Sequence, residues 1–154
     1  MYKKIRKIEN NKNGFTLIEI LVVIGIIAVL AAVVLVAINP SRQFKLARDS
    51  QRVSNITAIL NAVGQNIAEN KGIFNCTGIS LPATSTIIES TNLNIASCLI
   101  PNYISNLPFD PSKQTANFIN VNSYNTGYYI YQDSDGRVTV TADGEITNPI
   151  TVTR

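Results

Sequence analysis

Glu19 is the acidic residue whose position most needs a chemical explanation. It directly precedes an uninterrupted run of apolar residues and one glycine from Ile20 to Ile38. A carboxylate in an apolar environment is costly unless a cation or hydrogen-bond donors accompany it, so such an acid usually marks a functional pair. The alternative is that the apolar run is an ordinary membrane anchor and that Glu19 lies close enough to the membrane edge to reach water.

Cys76 and Cys98 are the two cysteines of the chain, and both follow the apolar run. They lack the paired C-x-x-C spacing of zinc ribbons and redox motifs. If this part of the chain is extracellular, a disulfide is favoured, and closing this loop would stabilise the fold by about 3 kcal/mol in the chain-entropy model. The alternative is two buried free thiols.

Histidine is absent from the sequence, which removes the usual general base near neutral pH and the commonest nitrogen ligand of metals. Asp133 and Asp135 suggest a calcium loop, but an EF-hand that began at Asp133 would have Gly144 where a bidentate glutamate is required. A hairpin turn is therefore favoured for this segment. With no nucleophile-base spacing either, we expect no enzyme, no cofactor and no metal site.

The segment 15–38 is the element that holds Glu19. As an α-helix it would be about 36 Å long, enough to cross a hydrocarbon core of roughly 30 Å. It is longer than the apolar part of a secretory signal, and no A-x-A site follows it, so cleavage after the run is not expected. Five basic residues lie in the fourteen positions that precede it, and by the positive-inside tendency they favour an N-terminus in the cytoplasm and the remainder across the membrane.

The net charge of +3 is concentrated at the N-terminus. Five basic residues and one acid lie in the first fourteen positions, so the rest of the chain carries a net charge of −1. A basic surface for nucleic acid would not be confined to a leader, and nucleic-acid binding is therefore not indicated.

A second helical pattern covers residues 39–72. Asn39-Pro40 predicts a kink or break between it and the apolar helix. Apolar residues then recur at three-and-four spacing, Asp49 occupies one step of that stripe, and Lys71-Gly72 predicts the end of the helix. The predicted stripe comprises Leu46, Val53, Ile56, Leu60, Val63 and Ile67.

Arg48, Asp49 and Arg52 offer opposite charges three residues apart on this second helix. Exposed pairs of this kind are common and individually weak, so a local ion pair on a solvated face is favoured. A bridge between subunits is the alternative.

The remaining residues, 73–154, predict a globular domain. A variable segment rich in Ser, Thr, Asn and Ala extends to about Leu107, and three β-strand patterns follow it: TGYYIYQ, RVTVTA and EITNPITVT. Two Asp-Gly turns join these strands, and Pro149 makes the last an edge or irregular strand. The expected fold is α+β: a long N-terminal helix, with a transmembrane and an amphipathic half, packs on a small C-terminal antiparallel β-meander.

The stretch Gly14-Phe15-Thr16-Leu17-Ile18-Glu19, followed by the long apolar helix, resembles the class III signal of type IV pilins and type II secretion pseudopilins. The resemblance implies that a prepilin peptidase cuts between Gly14 and Phe15, removes residues 1–14 as a basic leader and N-methylates Phe15. It also supplies a partner for Glu19, namely the new amine of Phe15 on a neighbouring subunit. Such a pair would set the register of assembly, because misaligned subunits would leave a buried acid unpaired.

The same resemblance implies a structural subunit of a type IV pilus-like filament. Its partners would be other copies of itself and minor pilins, an inner-membrane assembly platform with its ATPase, and membrane lipid before assembly. The subunit would begin as a single-pass cytoplasmic membrane protein and end in an extracellular or cell-surface filament.

Two alternatives stay open. The element Leu107-Pro108-Phe109-Asp110-Pro111 resembles the L-P-x-D-P element of major pseudopilins, although their tryptophan-glycine sequel is replaced by Ser112-Lys113-Gln114. A pseudopilin of a type II secretion system is therefore the first alternative. The second is a single-pass membrane protein with an extracytoplasmic binding domain, which would stay full length and never polymerise.

Overall fold

The structure is a computed structural model that describes residues 14–154. The expected leader, except Gly14, lies outside the described residues. The chain divides into two compact units, one ending at Pro40 and the other covering Ser41–Arg154.

Helix α1 covers Leu17–Ile38, the apolar run together with its leading residues. Thr16 caps its N-terminus, and Glu19 completes a capping box, in which each side chain bonds the other residue's backbone N–H. None of its residues is buried among residues 14–154, and its length and composition are sufficient to cross a membrane. It ends at Asn39, which adopts a left-handed conformation with φ of 46°.

Helix α2 covers Pro40–Glu69. Proline is well suited to the first position of a helix, where its missing N–H would have no intrahelical partner. At the other end the N–H of Gly72 donates to the carbonyl of Ile67 over 2.9 Å, while Lys71 and Gly72 adopt positive φ values of 59° and 88°. This left-handed C-terminal cap ends the helix where the Lys71-Gly72 pair predicts.

One antiparallel sheet contains five strands: β1 (Thr86–Glu89), β2 (Asn117–Asn120), β3 (Ser123–Gln132), β4 (Val138–Ala142) and β5 (Ile150–Thr153). Their order in the sheet is β1-β3-β4-β5, and β2 pairs with the first part of β3. Their register is fixed by pairs such as Ile87 with Tyr129 and Val140 with both Ile130 and Val152. A short helix, α3 (Ala96–Leu99), lies between β1 and β2 in sequence.

Gly127 lies inside β3, where the pairing with β1 shifts register. Its φ is 73°, and a Cβ there would approach Lys113 Cδ to 3.0 Å and Asp110 Cβ to 3.2 Å. Only glycine adopts this bulge without strain, so the sequence Thr-Gly-Tyr allows the segment around Asp110 to lie against the sheet.

The core of the second unit forms between one face of α2 and the sheet. The predicted stripe is confirmed at Ile56, Leu60 and Val63, which are buried, whereas Val53 is 44% exposed. Ile59, outside the predicted stripe, is fully buried. The sheet and its connections contribute further buried side chains, among them Ile88, Ile95, Leu99, Leu107, Tyr128, Ile130 and Val140.

The predicted α+β fold is confirmed, with a helix packed on a small antiparallel sheet. Strands β3 and β4 occupy the predicted TGYYIYQ and RVTVTA segments, and β5 pairs with β4 at the edge of the sheet. Strands β1 and β2 were not predicted, and both are only four residues long. Strand β1 lies in the segment expected to be irregular, and β2 lies between that segment and the first predicted strand pattern.

Candidate functional site

Thr16 and Glu19 form a reciprocal contact at the start of α1. The carboxylate oxygen Oε2 of Glu19 accepts hydrogen bonds from the backbone N–H of Thr16 at 2.7 Å and from its hydroxyl at 2.8 Å. In return, the N–H of Glu19 donates to the Thr16 hydroxyl oxygen at 3.3 Å. The two residues satisfy donors that the first turn of a helix leaves without partners, and the contact directs the carboxylate toward the N-terminus.

The other carboxylate oxygen of Glu19, Oε1, accepts no hydrogen bond from any residue that the structure describes. The side chain lines an open, largely apolar groove of about 400 Å³ with Phe15, Ile18, Val22 and Val23. Glu19 can therefore cap its own helix with one oxygen and accept a further donor with the other.

Gly14 and Phe15 precede α1 in a non-helical segment, and both are exposed. The Phe15 side chain is 85% exposed, so no part of the described fold covers the peptide bond that the signal marks for cleavage. Because Phe15 directly precedes Thr16, an amine created at its nitrogen would lie one residue before the donors that already bind Glu19.

A second polar cluster is centred on Arg52, whose side chain is buried between α2 and the loops that precede β2 and β5. Its guanidinium forms two hydrogen bonds with Asp110, from Nε to Oδ2 at 2.8 Å and from Nη2 to Oδ1 at 3.1 Å. It also donates to Asp49 at 2.8 Å, to Glu145 at 3.3 Å and to the hydroxyl of Ser112. Arg52 thus joins the helix to two separate loops.

Asp49 fixes the loop between β4 and β5 through the backbone of that loop. Its two oxygens accept the N–H groups of Glu145 and Ile146, each at 2.8 Å, and of Thr147 at 3.2 Å. On the helix surface beside it, the guanidinium of Arg48 binds both carboxylate oxygens of Glu145. Three consecutive loop residues are therefore held against α2.

The acids of this cluster have shifted pKa values. Burial raises the pKa of Asp49, but the three backbone N–H donors and Arg52 outweigh it and lower the pKa to about 2. The Arg48 guanidinium, assisted by Arg52 and opposed by burial, lowers the pKa of Glu145 to about 2. Burial likewise opposes the effect of Arg52 on Asp110, whose pKa is still lowered. All three carboxyls are ionised at neutral pH.

The prediction of a solvated ion pair at Arg48, Asp49 and Arg52 was wrong. The contact between Asp49 and Arg52 exists, but the Arg52 side chain is only 2% exposed and is also bound by Asp110. The sequence did contain a signal, because Asp49 occupies a step of the apolar stripe that faces the core. Asp110 and Glu145 were not identified, since they lie 58 and 93 residues from Arg52.

Cys76 and Cys98 are joined by a disulfide, with their Cα atoms 5.3 Å apart. The bond closes a loop that contains β1 and the start of α3. Cys76 is buried in the core cluster, so the bond ties the segment after α2 to the packed interior.

Asp133 and Asp135 lie in the turn between β3 and β4, and both contact Arg137. Asp133 accepts the backbone N–H groups of Asp135 and Arg137, at 3.0 and 2.8 Å, and the Arg137 guanidinium at 2.9 Å. Asp135 accepts the same guanidinium at 3.3 Å. These contacts are those of an Asx-type turn closed by an arginine, in which a cation from the chain itself faces both acids.

Comparison with known proteins gives one finding for this chain. Residues 10–35 match the family model described as the prokaryotic N-terminal methylation motif. No curated protein and no solved structure matches the chain significantly. The match covers Gly14, Phe15, Glu19 and most of α1, and together with that apolar helix it confirms the resemblance to a type IV pilin-like class III signal.

Proposed function

We propose that this protein is a structural subunit of a type IV pilus-like filament. A prepilin peptidase cuts it between Gly14 and Phe15 and methylates the new amine of Phe15, and the mature chain polymerises through α1. Before assembly it resides in the cytoplasmic membrane with its N-terminus inside. Assembly then involves other copies, minor pilins and a membrane platform with its ATPase.

The observation that carries this proposal is the state of Glu19 at the start of the matched motif. Glu19 is the one charged residue of α1, and its side chain is exposed. One of its carboxylate oxygens accepts hydrogen bonds from Thr16, whereas the other accepts none from the residues that the structure describes. A free Phe15 amine from a second copy fits the unused oxygen in charge and in hydrogen-bonding capacity. Helix α1 contains no cation to pair with Glu19. The Phe15 amine of a second copy would neutralise this carboxylate, which would otherwise be an unpaired charge in lipid.

The second unit suits an extracytoplasmic position. A disulfide persists in oxidising surroundings and is rare in the cytosol, and the bond between Cys76 and Cys98 lies on the C-terminal side of α1. The buried cluster around Arg52 adds a second fixed point between α2 and its loops. Both features favour a rigid domain carried by a membrane helix.

The decisive experiment is N-terminal sequencing and intact-mass measurement of the protein isolated from its own cells. We expect the chain to start at Phe15 and to carry one additional methyl group. The matched control is Gly14→Ser, which changes the residue before the cut and should leave the full-length chain in the membrane. A wild-type chain that starts at Met1 and sediments only as a membrane protein would overturn the proposal.

A pseudopilin of a type II secretion system is the second candidate, favoured by the Leu107–Pro111 element. In the fold this element places Asp110 against Arg52, so it is a structural support that does not itself identify the machine. Deleting the gene and examining cells by electron microscopy separates the two roles. Loss of surface fibres supports the pilus, whereas loss of enzyme export with no change in fibres supports the pseudopilus.

A further inference from the structure

Two triplets of the sequence fit the acceptor pattern for N-linked glycosylation, in which serine or threonine stands two residues after an asparagine. They are Asn55-Ile56-Thr57 and Asn75-Cys76-Thr77, and neither has proline at its middle position. The pattern alone gives no reason to prefer one of them. Their surroundings in the fold do, because the two asparagine side chains differ in accessibility and in the hydrogen bonds they form.

Asn55 is unsuited to carry a sugar, because it lies inside α2 and both hydrogens of its side-chain amide are in use. Its Nδ2 donates to the carbonyl of Phe109 at 3.1 Å and to the hydroxyl of Tyr128 at 2.9 Å. An amide nitrogen carries two hydrogens, so replacing either one would break one of these bonds. Ile56, the middle residue of the triplet, is fully buried in the core. The folded domain therefore excludes this triplet as an acceptor.

Asn75 is in the opposite situation, because it lies on an exposed loop after α2. Its Nδ2 donates one hydrogen bond, to Oδ1 of Asn70 at 2.9 Å. A linkage through the second hydrogen of the amide would leave this bond in place. Thr77 is also exposed, and it lies in a turn that the N–H of Ile79 closes by donating to the carbonyl of Cys76 at 3.0 Å. The asparagine and the threonine of this triplet are thus both accessible.

The backbone at Asn75 is held by a buried amide of α2. Asn66, which is only 2% exposed, accepts the N–H of Asn75 at 2.8 Å and donates to its carbonyl at 3.1 Å. The next residue, Cys76, is fixed by its disulfide with Cys98. The exposed side chain of Asn75 therefore projects from a backbone that is held at two consecutive residues.

An open groove of about 360 Å³ lies beside the Asn75 side chain. Its lining combines hydrogen-bonding groups, among them Glu69, Asn70 and Lys71, with apolar surface from Ile73, which is 72% exposed. A sugar ring carries hydroxyl groups at its edge and C–H groups on its faces, so it can contact both kinds of lining at once. Covering the exposed Ile73 would remove apolar surface from water.

We propose that Asn75 is a glycosylation site and that the first sugars of its glycan lie in this groove. The donor class is an oligosaccharide joined through its anomeric carbon to a lipid pyrophosphate. In the transfer, Nδ2 of Asn75 forms a bond to that carbon and gives up one proton. The bond between the carbon and the phosphate oxygen breaks, and the lipid pyrophosphate leaves with the electron pair. An amide nitrogen is a weak nucleophile, so the step requires a transferase on the outer side of the membrane.

The inference rests on one part of the proposed function, the extracytoplasmic position of the second unit. The disulfide supports this position for the triplet in particular, because Cys76 is its middle residue and such bonds persist in oxidising surroundings. A glycan is bulky and hydrophilic. Attached at Asn75, it would cover the loop that joins the end of α2 to the disulfide.

The first experiment is mass spectrometry of tryptic peptides from protein isolated from its own cells. Trypsin cuts after Lys71 and so places Asn55 and Asn75 on different peptides, and electron-transfer fragmentation keeps a sugar on the residue that carries it. We expect a glycan on Asn75 and an unmodified Asn55. Thr77→Ala should abolish the glycan although Asn75 is intact, whereas Thr77→Ser, which keeps the hydroxyl, should retain it. An unmodified Asn75 in the wild type, or a glycan that persists in Thr77→Ala, would overturn the inference.

The same sample distinguishes failure of this inference from failure of the proposed function. Its N-terminal peptide reports cleavage after Gly14, and its Asn75 peptide reports glycosylation. A chain that starts at Phe15 and has a bare Asn75 overturns only the glycosylation site. A chain that starts at Met1 and carries a glycan on Asn75 overturns only the filament subunit.

Melting temperatures test whether the glycan lies in the groove. The glycosylated wild type should melt at a higher temperature than Thr77→Ala, which carries no glycan. Ile73→Ser should lower the melting temperature of the glycosylated chain but have little effect in the Thr77→Ala background, because the apolar contact with the sugar is made only in the first case. An equal effect of Ile73→Ser in both backgrounds would show that the glycan does not contact the groove.

Discussion

Arg52 and Asp110 form two hydrogen bonds of 2.8 and 3.1 Å, although they are 58 residues apart in the sequence. Both side chains are almost completely buried. The pair joins α2 to the loop that precedes β2, and Asp49 joins the same helix to the loop that precedes β5. The guanidinium of Arg52 therefore contacts both of the acids that hold these loops, Asp110 and, at 2.8 Å, Asp49.

Replacing Arg52 should strongly destabilise the second unit. Arg52→Met keeps the length of the side chain but leaves Asp110 and Asp49 buried without their cation, and breaking a buried pair in this way costs about 3 to 5 kcal/mol. We expect a corresponding loss in the free energy of unfolding, measured by urea denaturation of the detergent-solubilised protein. Arg137→Met, at an exposed arginine with two acidic partners, should cost less than about 1 kcal/mol.

A double variant tests whether the loss of stability comes from the acids that stay buried without their cation. Arg52→Met with Asp110→Asn removes one of the charges that the single variant leaves buried. It should recover part of the stability lost by Arg52→Met. If the double variant is as unstable as the sum of its single variants, the two side chains are not energetically coupled.

The sequence predicts the elements whose signal is local. The apolar run, the stripe at Ile56, Leu60 and Val63, and the Asp-Gly turn after β3 each depend on neighbours within a few residues. Strand β1 is different, because Ile87 and Ile88 become a strand only through pairing with β3, about forty residues later. The Arg52 cluster could not be predicted for the same reason. Asp49 in an apolar stripe indicates a buried acid, but it does not identify the loops that bind it.

Acid should release the loop between β4 and β5 before the rest of the domain unfolds. The pKa values of Asp49 and Glu145 are lowered to about 2 from ordinary values of 3.8 and 4.5. Because the folded state binds these protons less readily than the unfolded state, the stabilisation is fully present above about pH 5 and is lost as the pH falls toward 2. Hydrogen exchange at pH 3 should expose the amides of Glu145, Ile146 and Thr147 first.

Asp49→Asn provides the matched control for this pH dependence. The variant should be less stable at pH 7, but its free energy of unfolding should decrease less between pH 5 and pH 3 than that of the wild type. An equal decrease in both proteins would assign the acid sensitivity to other carboxyls.

Removing the disulfide should destabilise the segment after α2. The paired variant Cys76→Ser with Cys98→Ser should lower the free energy of unfolding by about 3 kcal/mol, since the bond closes a loop of about twenty residues. The wild type in a strong reductant should show the same loss, measured by urea denaturation. Equal stability of oxidised and reduced wild type would show that core packing alone holds the segment.

Glu19 can be tested with variants that separate its two contacts. Thr16→Val removes the hydroxyl of the capping box and should lower filament yield moderately, whereas Thr16→Ser keeps the hydroxyl and should restore it. Glu19→Gln keeps an oxygen that can accept the N–H of Thr16, because glutamine also completes a capping box, but it removes the charge.

If the carboxylate serves to pair with a methylated Phe15 amine on a second copy, Glu19→Gln should lose filaments as completely as Glu19→Ala. Both variants should still insert in the membrane and be cut after Gly14, as shown by the mass of the membrane-bound protein. If instead the cap is what assembly requires, Glu19→Gln should assemble normally and only Glu19→Ala should fail. The comparison therefore shows whether assembly requires the negative charge of Glu19 or its hydrogen bonds in the capping box at the N-terminus of α1.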